Sequence, residues 1–508
     1  MAGFTNAEAA RLLLQGGFGA NRAELERVRA LGSATAWIDE QLAMPRSPSH
    51  LAWFRAFAAD EGRRGLDYTV WRTFFSSPDP LRQRMVFALS QILVVSMEGI
   101  GGSSAGWSIA YYLDLLDQHA FGNFRALLED VTLTPAMGNY LSMRGSRRTD
   151  ASRRRPDENY AREIMQLFTI GLVELNADGT PRLVNSAPVD TYREADVSGL
   201  ARVFTGWDYG SGPADAPERL IKPMVNNADR HETGEKTFLG ITVPASTSAR
   251  DSLRIALDRL FNHPNVGPFI GRQLIQRMVT SNPSAAYVGR VAAVFNNNGA
   301  GVRGDLKAML RAILTDTEAR NTSAVRADAH GGKLREPTLR FASWARACNV
   351  SSPSGQWRLG NLSDPATSLG QSPLHSISVF NFYRPGYVPP NTAIAAAAKV
   401  APEFQITTES SVAGYLNFMQ SAISNSSGLF SSDVRADYAA WLPLASDPAA
   451  LAAEANLLLA ADQLSAARVA VIRDAIAAMP SATSANRLSR VHAAVLLTLA
   501  APECLVAK

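Results

Sequence analysis

Cysteine is scarce in this 508-residue chain, which contains only Cys348 and Cys504. Neither a CxxC pair nor a Cys/His spacing typical of zinc sites is present, so a metal-stapled or disulfide-rich small fold is excluded. A disulfide between the two cysteines does not follow from the sequence, because it requires a proximity that the sequence does not give. Free cysteine is a strongly buried residue type, and we therefore expect two buried thiols.

Long hydrophobic runs are also missing. The longest run, Met85–Met97, is interrupted by Ser90 and Gln91 and is too short to span a bilayer, so no transmembrane segment is predicted. The opening segment, Met1–Ala10, contains no apolar stretch typical of a signal peptide. We therefore expect a soluble protein.

Neither sign of charge dominates, since 50 Lys and Arg residues face 46 Asp and Glu residues. Arginines do cluster between Arg144 and Arg155, where they occupy six of twelve positions. Such a segment is either a solvated loop or a site that attracts an acidic polymer, because guanidinium groups pair with carboxylates, sulfates and phosphates. No aromatic residues are interleaved with the arginines, so nucleic acid is not a predicted partner.

Common cofactor and metal motifs are absent as well. The chain has no Walker loop, no GxGxxG motif after a strand and no HExxH motif. The sequence therefore assigns no metal ligand and leaves the cofactor unknown.

Helical patterns dominate what is present. We predict a mostly α fold in which residues 1–508 form one large helical domain with long irregular loops, since no clean linker divides the chain. Its parts are a motif core at 131–240, an irregular loop at 351–390 and a C-terminal helical part at 400–508. The Gly- and Pro-rich stretch 207–249 is expected to be a long ordered loop with a short hairpin.

The densest motif is a predicted helix over 157–171, which begins after Pro156 and ends at Gly171. Helical spacing puts Glu163 at the border of its apolar stripe and Asn159 one turn earlier on the same side. Arg162 is expected to pair with Glu158 on the far face. A carboxylate at an apolar border has one of two roles. It is either structural, in a buried ion pair or a helix-to-loop hydrogen bond, or a functional acid with a perturbed pKa.

A second helix is predicted from Thr191, which with Glu194 is expected to form a capping box. Asp196 then falls near the middle of the apolar stripe that ends at Trp207, an unusual place for an acid. It is either salt-bridged, to Arg162 or Arg202, or functional.

The loop that follows places His231, Glu232, Glu235 and Lys236 within six positions. This mixture of groups is one that acid–base chemistry uses, although a lone loop histidine more often only makes hydrogen bonds.

Together, these motifs resemble domain-of-unknown-function family 1800. The resemblance covers nearly the whole chain and is carried by several segments: Ala9–Leu13 with Gly17–Gly19, Glu158–Gly171, Tyr192–Val197, Ala201 and Arg202, Thr205–Trp207, His231 with Gly234 and Lys236, His263 and Pro264, Phe269–Val279, and Leu369–Gln371.

The resemblance implies a helical bacterial protein that is commonly exported, so a secreted or periplasmic location is expected although this chain lacks a leader. Members are often encoded beside a protein of domain-of-unknown-function family 1501, which looks like an alkaline-phosphatase-type fold and is the implied partner. No reaction comes with the resemblance. Gln166 stands where relatives often have an acid, so we assign it no role.

Our first functional hypothesis is a carboxylate-dependent hydrolase or lyase that acts on an extracellular polymer such as an acidic glycan. The predicted catalytic residues are Glu163, Asp196, His231 and Lys236. The predicted substrate-binding residues are Asn159, Arg162, Arg202 and Trp207.

Two hypotheses from other classes stay open. The chain could be a non-catalytic envelope scaffold or the partner of a family 1501 protein, with the motif residues serving as core ion pairs. It could also be a divalent-metal enzyme in which Glu163, Asp196 and His231 bind the ion.

Overall fold

Helices form the framework of the molecule. The computed structural model describes residues 3–102, 105–149, 155–213, 216–425 and 433–508. Within these ranges 55% of the chain is helical and the strands form only small two-stranded sheets, which confirms the mostly α single domain. Arg153 and Arg154 of the basic segment lie outside the described residues.

The first third of the chain contributes nine helices to the described structure. They are α1 (Asn6–Gly16), α2 (Arg22–Ala30), α3 (Ala34–Ala43), α4 (His50–Phe57), α5 (Arg63–Ser76), α6 (Pro80–Ser90), α7 (Ala105–His119), α8 (Phe124–Leu133) and α9 (Pro135–Tyr140). Polar caps begin many of them: the Thr5 hydroxyl, for example, accepts the Glu8 N–H of α1 while the Glu8 carboxylate accepts the Thr5 N–H.

The middle of the chain contains the predicted motif helices. Its helices are α10 (Asn159–Glu163), a π-helix (Ile164–Thr169), α11 (Glu194–Val203), α12 (Ala249–Phe261), α13 (Val266–Met278), α14 (Ala285–Asn296), α15 (Leu306–Thr315), α16 (Thr317–Arg320) and α17 (Thr322–Ala327). Short 3-10 helices span Ala59–Glu61, Met97–Gly99, Pro217–Arg219, Ala228–Arg230, Pro402–Ile406 and Leu442–Ser446.

The last third of the chain contains seven α-helices in the described residues, one before and six after a long irregular stretch. Its helices are α18 (Pro337–Ala347), α19 (Ala393–Ala396), α20 (Glu409–Ile423), α21 (Pro448–Ala460), α22 (Ala466–Ala477), α23 (Ser484–Ala500) and α24 (Pro502–Leu505). Between α18 and α19, residues 351–390 are irregular, as the Pro- and Gly-rich sequence predicts.

All four described sheets are antiparallel pairs of short strands. The strands are β1 (Leu183–Val184), β2 (Ala187–Pro188), β3 (Trp207–Asp208), β4 (Val225–Asn226), β5 (Lys236–Phe238), β6 (Ile241–Val243), β7 (Lys333–Leu334) and β8 (Val506–Ala507), and each odd strand pairs with the next even one. The β5–β6 pair is the short hairpin predicted within 207–249. The β7–β8 pair joins the residues just before α18 to the last residues of the chain.

A continuous apolar core runs through the helices from α1 to α24. Cys348 and Cys504 are both buried free thiols, which confirms that prediction. Burial raises the pKa of each thiol, so both remain protonated. In the described part of the chain, no helix combines the length and apolarity needed to cross a membrane.

A buried histidine fastens the irregular segment to the N-terminal helices. His375 donates from Nε2 to Asp67 of α5 at 2.8 Å and from Nδ1 to Glu98 at 2.7 Å. Burial alone would lower its pKa, but the two carboxylates outweigh that effect and raise the pKa of His375. Burial also raises the pKa of Asp67, so this carboxylate depends on the imidazolium to remain ionised.

We predict that this fastening weakens at alkaline pH. The folded-state pKa of His375 lies above its ordinary value of 6.5, so the stabilisation is complete below that pH and is lost as the pH rises through the folded pKa. His375→Gln should lower the free energy of unfolding by about 1–3 kcal/mol in mild acid and by less at alkaline pH. Denaturant titrations across pH measure this, with exposed His330→Gln as the control. An equal loss at every pH would contradict it.

Candidate active site

Glu163 closes the short helix α10 at the point where the backbone widens into a π-helix. The side chain is buried, with 7% of the residue exposed. Single π-turns occur mostly as insertions near functional sites, because the extra residue per turn redirects the side chains that follow. Here the redirected residues include Gln166 and Leu167, which line a cavity.

The Glu163 carboxyl is poorly compensated. Its Oε2 atom is buried and has no hydrogen-bond partner among the residues that the structure describes. Arg162, the nearest cation along the chain, instead contacts Glu194 at 2.8 Å and Glu158 at 3.6 Å. Burial raises the pKa of Glu163, and the Arg162 charge opposes this only in part. A buried ion pair, the structural alternative for Glu163, is therefore not what the structure contains.

The charge of Glu163 contributes to raising the pKa of two tyrosines. Burial, reinforced by that charge, raises the pKa of Tyr140 to about 12. Burial and the same carboxylate also raise the pKa of Tyr192, against the Arg162 charge. Tyr192 follows Thr191, whose N–H donates to the Leu172 carbonyl at 3.0 Å. Both phenols therefore stay protonated near neutral pH and can donate a proton.

The cavity beside the π-helix has a volume of about 380 Å³, within the size range of small-ligand sites. Apolar side chains, including Leu172, Phe269 and Phe380, form part of its wall. The polar part of its wall consists of four glutamine and two arginine side chains: Gln91, Gln166, Arg272, Gln273, Gln276 and Arg277. No carboxylate is among the described residues that line it.

Several of these polar groups are held in place. Arg277 donates to the Gln91 carbonyl at 2.8 Å and to the Gln273 carbonyl at 3.3 Å. Gln276 donates to the Ser281 and Pro385 carbonyls at 3.0 and 3.2 Å. In contrast, the buried Gln91 Oε1 atom has no hydrogen-bond partner among the described residues.

Sequence reasoning missed this wall, although α13 carries a signal for it. Arg272 and Gln273 recur four positions later as Gln276 and Arg277, so one side of an otherwise apolar helix is polar. Gln166 was assigned no role, yet the structure places it on the cavity wall.

Asp196 does not face the apolar core, which corrects the prediction. Helix α11 begins at Glu194 rather than at Thr191, so Asp196 lies in its first turn. There its carboxylate accepts the Arg193 N–H at 2.8 Å and the Leu239 N–H at 2.7 Å. The hydroxyl of Thr191 instead donates to the Gly171 carbonyl. Asp196 thus caps a helix and anchors the β5–β6 turn, which is a structural role.

His231 and Lys236 are brought close to α11 but are enclosed. His231 Nδ1 donates to the Thr205 carbonyl at 3.0 Å, and burial lowers the pKa of His231, so the ring is neutral at neutral pH. Lys236 donates to the Gly234 carbonyl at 3.3 Å, and burial lowers its pKa against the attraction of Glu232. Neither group lines the cavity.

The predicted substrate-binding residues are also dispersed. Asn159 is exposed, and Arg162 is engaged in surface ion pairs. Arg202 lies 3.6 Å from Glu232. Trp207 is buried, and within the described part of the chain its indole nitrogen has no partner. These four residues are not among those that line the cavity.

The predicted ligand set for a metal is not assembled. Among the residues that the structure describes, no group of three or more His, Cys, Asp and Glu side chains could hold an ion. Glu163, Asp196 and His231 therefore do not form a metal site. A second cavity, of about 480 Å³, lies near β7 and has Arg326, His330 and Lys399 in its wall.

Residues 11–506 match the family described as Protein of unknown function (DUF1800). The chain belongs to this family. No similar protein was found among curated proteins or solved structures. The family description assigns no reaction, so the chemistry of this DUF1800 member rests on its own residues.

We predict that Glu163→Gln stabilises the protein at neutral pH. The folded-state pKa of Glu163 lies above its ordinary value of 4.5. The ionised carboxylate therefore lowers the free energy of unfolding at pH values above 4.5. This destabilisation is complete once the pH exceeds the folded-state pKa. Removing the charge should raise the free energy of unfolding by about 1 kcal/mol near neutral pH and leave it unchanged in acid. Denaturant titrations of the two proteins measure the difference. A destabilised variant would show that the carboxylate has a structural partner.

We predict the opposite result for Asp196→Ala. The substitution leaves two backbone N–H groups without their acceptor and should cost about 1–3 kcal/mol of unfolding free energy. Asp196→Asn, which keeps one carbonyl oxygen, should cost less. Melting curves of both variants test the capping role, and an Ala variant as stable as the parent chain would rule it out.

Proposed function

We propose that the protein is a lyase that cleaves an acidic glycan by β-elimination. The observation that carries the proposal concerns the carboxyl group of Glu163. It is buried, and its Oε2 atom has no hydrogen-bond partner among the described residues. Glu163 precedes the cavity residues Gln166 and Leu167 by three and four positions. Perturbed carboxyls beside a ligand-sized cavity are the usual candidates for acid–base groups.

The cavity wall suits a charged sugar. Amide groups make hydrogen bonds with hydroxyls, and Phe269 and Phe380 offer apolar faces for a sugar ring. The unpartnered oxygen of Gln91 can accept a bond from a sugar hydroxyl. Arg272 lies exposed at the rim, where its guanidinium can pair with a uronate carboxylate.

Elimination fits these residues better than hydrolysis does. Glycosidases usually place two carboxyl groups about 5–9.5 Å apart across the scissile bond. Asp196, the second predicted acid, is occupied by two backbone N–H groups, so of the two predicted carboxyls Glu163 alone is left for acid–base work. Elimination needs one base, one proton donor and a cation to neutralise the uronate.

Glu163 lies behind the part of the wall formed by Gln166 and Leu167, so the proposed step requires Glu163 and Tyr192 to reach the ligand past these two residues. In that step, Glu163 removes the proton from C5 of the uronate. The electron pair of that C–H bond forms the C4=C5 double bond, and the C4–O4 bond breaks. The departing O4 takes a proton from Tyr192 and becomes a hydroxyl chain end. Proton transfer from Glu163 through solvent then restores Tyr192. Arg272 makes the C5 proton more acidic by pairing with the adjacent carboxylate.

Export belongs to the same proposal. Acidic glycans of this kind are polymers of surfaces and matrices, so the proposed substrate is encountered outside the cytoplasm. A secreted or periplasmic location is supported by this argument from the substrate class.

The direct test is ultraviolet detection of the conjugated double bond after incubation with acidic glycans that contain uronate, such as polygalacturonate, alginate and hyaluronate. We predict activity on at least one of them. Glu163→Gln should reduce kcat about 100-fold or more without loss of folding, because positioned acid–base groups contribute about 10²–10⁴ in rate.

The matched control is Glu194→Gln, which removes a carboxylate that is 67% exposed in its side chain and pairs with Arg162 at the surface. Its activity should equal that of the parent chain. A Glu163→Gln variant as active as the control would contradict the proposal, as would cleavage that gives a reducing end without a double bond.

A further inference from the structure

A third, much smaller cavity of about 20 Å³ lies where α6, α13 and β7 meet. Four cationic side chains line it: Arg84, Arg277, Lys333 and Arg335. All four are at least nine-tenths buried. No carboxylate is among the described residues that line the cavity.

Three nitrogen atoms of these arginines have no acceptor among the residues that the structure describes. Arg84 is 1% exposed, and its Nε and Nη1 atoms lack a partner. Arg277 is 4% exposed, and its Nε atom lacks one too. A buried N–H group without an acceptor costs on the order of 1–3 kcal/mol, and more when it is charged. The cavity is therefore a place where acceptors are missing.

The surrounding carboxylates do not balance the cations. Glu403 lies 2.9 Å from the Lys333 ammonium. Glu336 accepts hydrogen bonds from the side-chain amides of Gln91 and Gln371. Together, these two acids face four buried cations, so the region carries a surplus of positive charge. Uncompensated charge in a buried site is costly unless a counter-ion is present.

We propose that this cavity binds a single small inorganic anion of halide size, such as chloride. The unpartnered Nε and Nη1 groups of Arg84 and the Nε group of Arg277 would donate to the ion, and Lys333 and Arg335 would contribute charge. A volume of about 20 Å³ holds roughly one water-sized particle, so sulfate and phosphate are too large. A water molecule fits but carries no charge to offset the cations.

The position of the site gives the anion a structural consequence. Arg277 lines both the small cavity and the large one. Its carbonyl accepts hydrogen bonds from Arg84 and, at 2.7 Å, from Lys333. An anion bound to the guanidinium of Arg277 would therefore hold this side chain in place where it lines the larger cavity. The inference does not depend on which ligand the larger cavity takes.

The first experiment measures thermal melting of the full chain at constant ionic strength while sodium gluconate is replaced by sodium chloride or sodium bromide. We expect a saturable rise in melting temperature with both halides. Sodium sulfate, which is excluded from the protein surface, should give only a gradual rise that does not saturate. The rise should disappear in Arg84→Met, which removes two of the unpartnered donors. Arg311→Met, which removes a surface arginine paired with Asp39, should keep it.

The second experiment does not depend on the stability of any variant. Crystals of the parent chain grown in sodium bromide should show an anomalous scattering peak between Arg84 and Arg277. A cavity without such a peak, together with melting curves that do not distinguish halide from gluconate, would overturn the proposal. Halide stabilisation retained by Arg84→Met would overturn it as well, because the ion would then bind elsewhere.

Discussion

Charge buried away from water is the constraint on which the rest of this structure depends. Arg84 of α6, Arg277 of α13 and Glu336 at the start of α18 come from distant parts of the chain and meet in the interior. Each is too costly to bury alone, so each is tied to backbone carbonyls or side-chain amides around it. Although burial opposes it, Lys333 and Arg84 hold the pKa of Glu336 below its usual range, so this acid stays ionised at the centre.

The same network shapes the proposed active site. Gln91 donates its side-chain amide to Glu336, and this leaves its oxygen without a partner at the wall of the large cavity. The Arg277 carbonyl accepts a hydrogen bond from the buried Arg84 side chain. The two Nη groups of Arg277 donate to the carbonyls of Gln91 and Gln273. The polar wall is therefore rigid because it is the outer surface of a buried charge cluster. A site with such preorganised groups suits ligand binding better than one built on free loops.

Periodicity predicted the helical framework but not the details that create the site. Glu163 could be found from sequence, because its place beside an apolar stripe follows from ordinary helical spacing. The π-helix after Glu163 could not, since its extra residue per turn breaks that spacing. Asp196 was misplaced because Arg193, not Thr191, precedes the first turn of α11. The buried network needs tertiary contacts between residues hundreds of positions apart, which no local pattern reports.

Glu163 is proposed to carry a charge that destabilises the fold and serves the reaction. A carbon NMR titration of the glutamate carboxyl groups, with Glu163→Gln used to assign the signal, measures this charge. We expect a titration midpoint above the ordinary value of 4.5 and a shift of this signal when a uronate oligosaccharide is added. A midpoint at or below that value, with no response to the oligosaccharide, would contradict it.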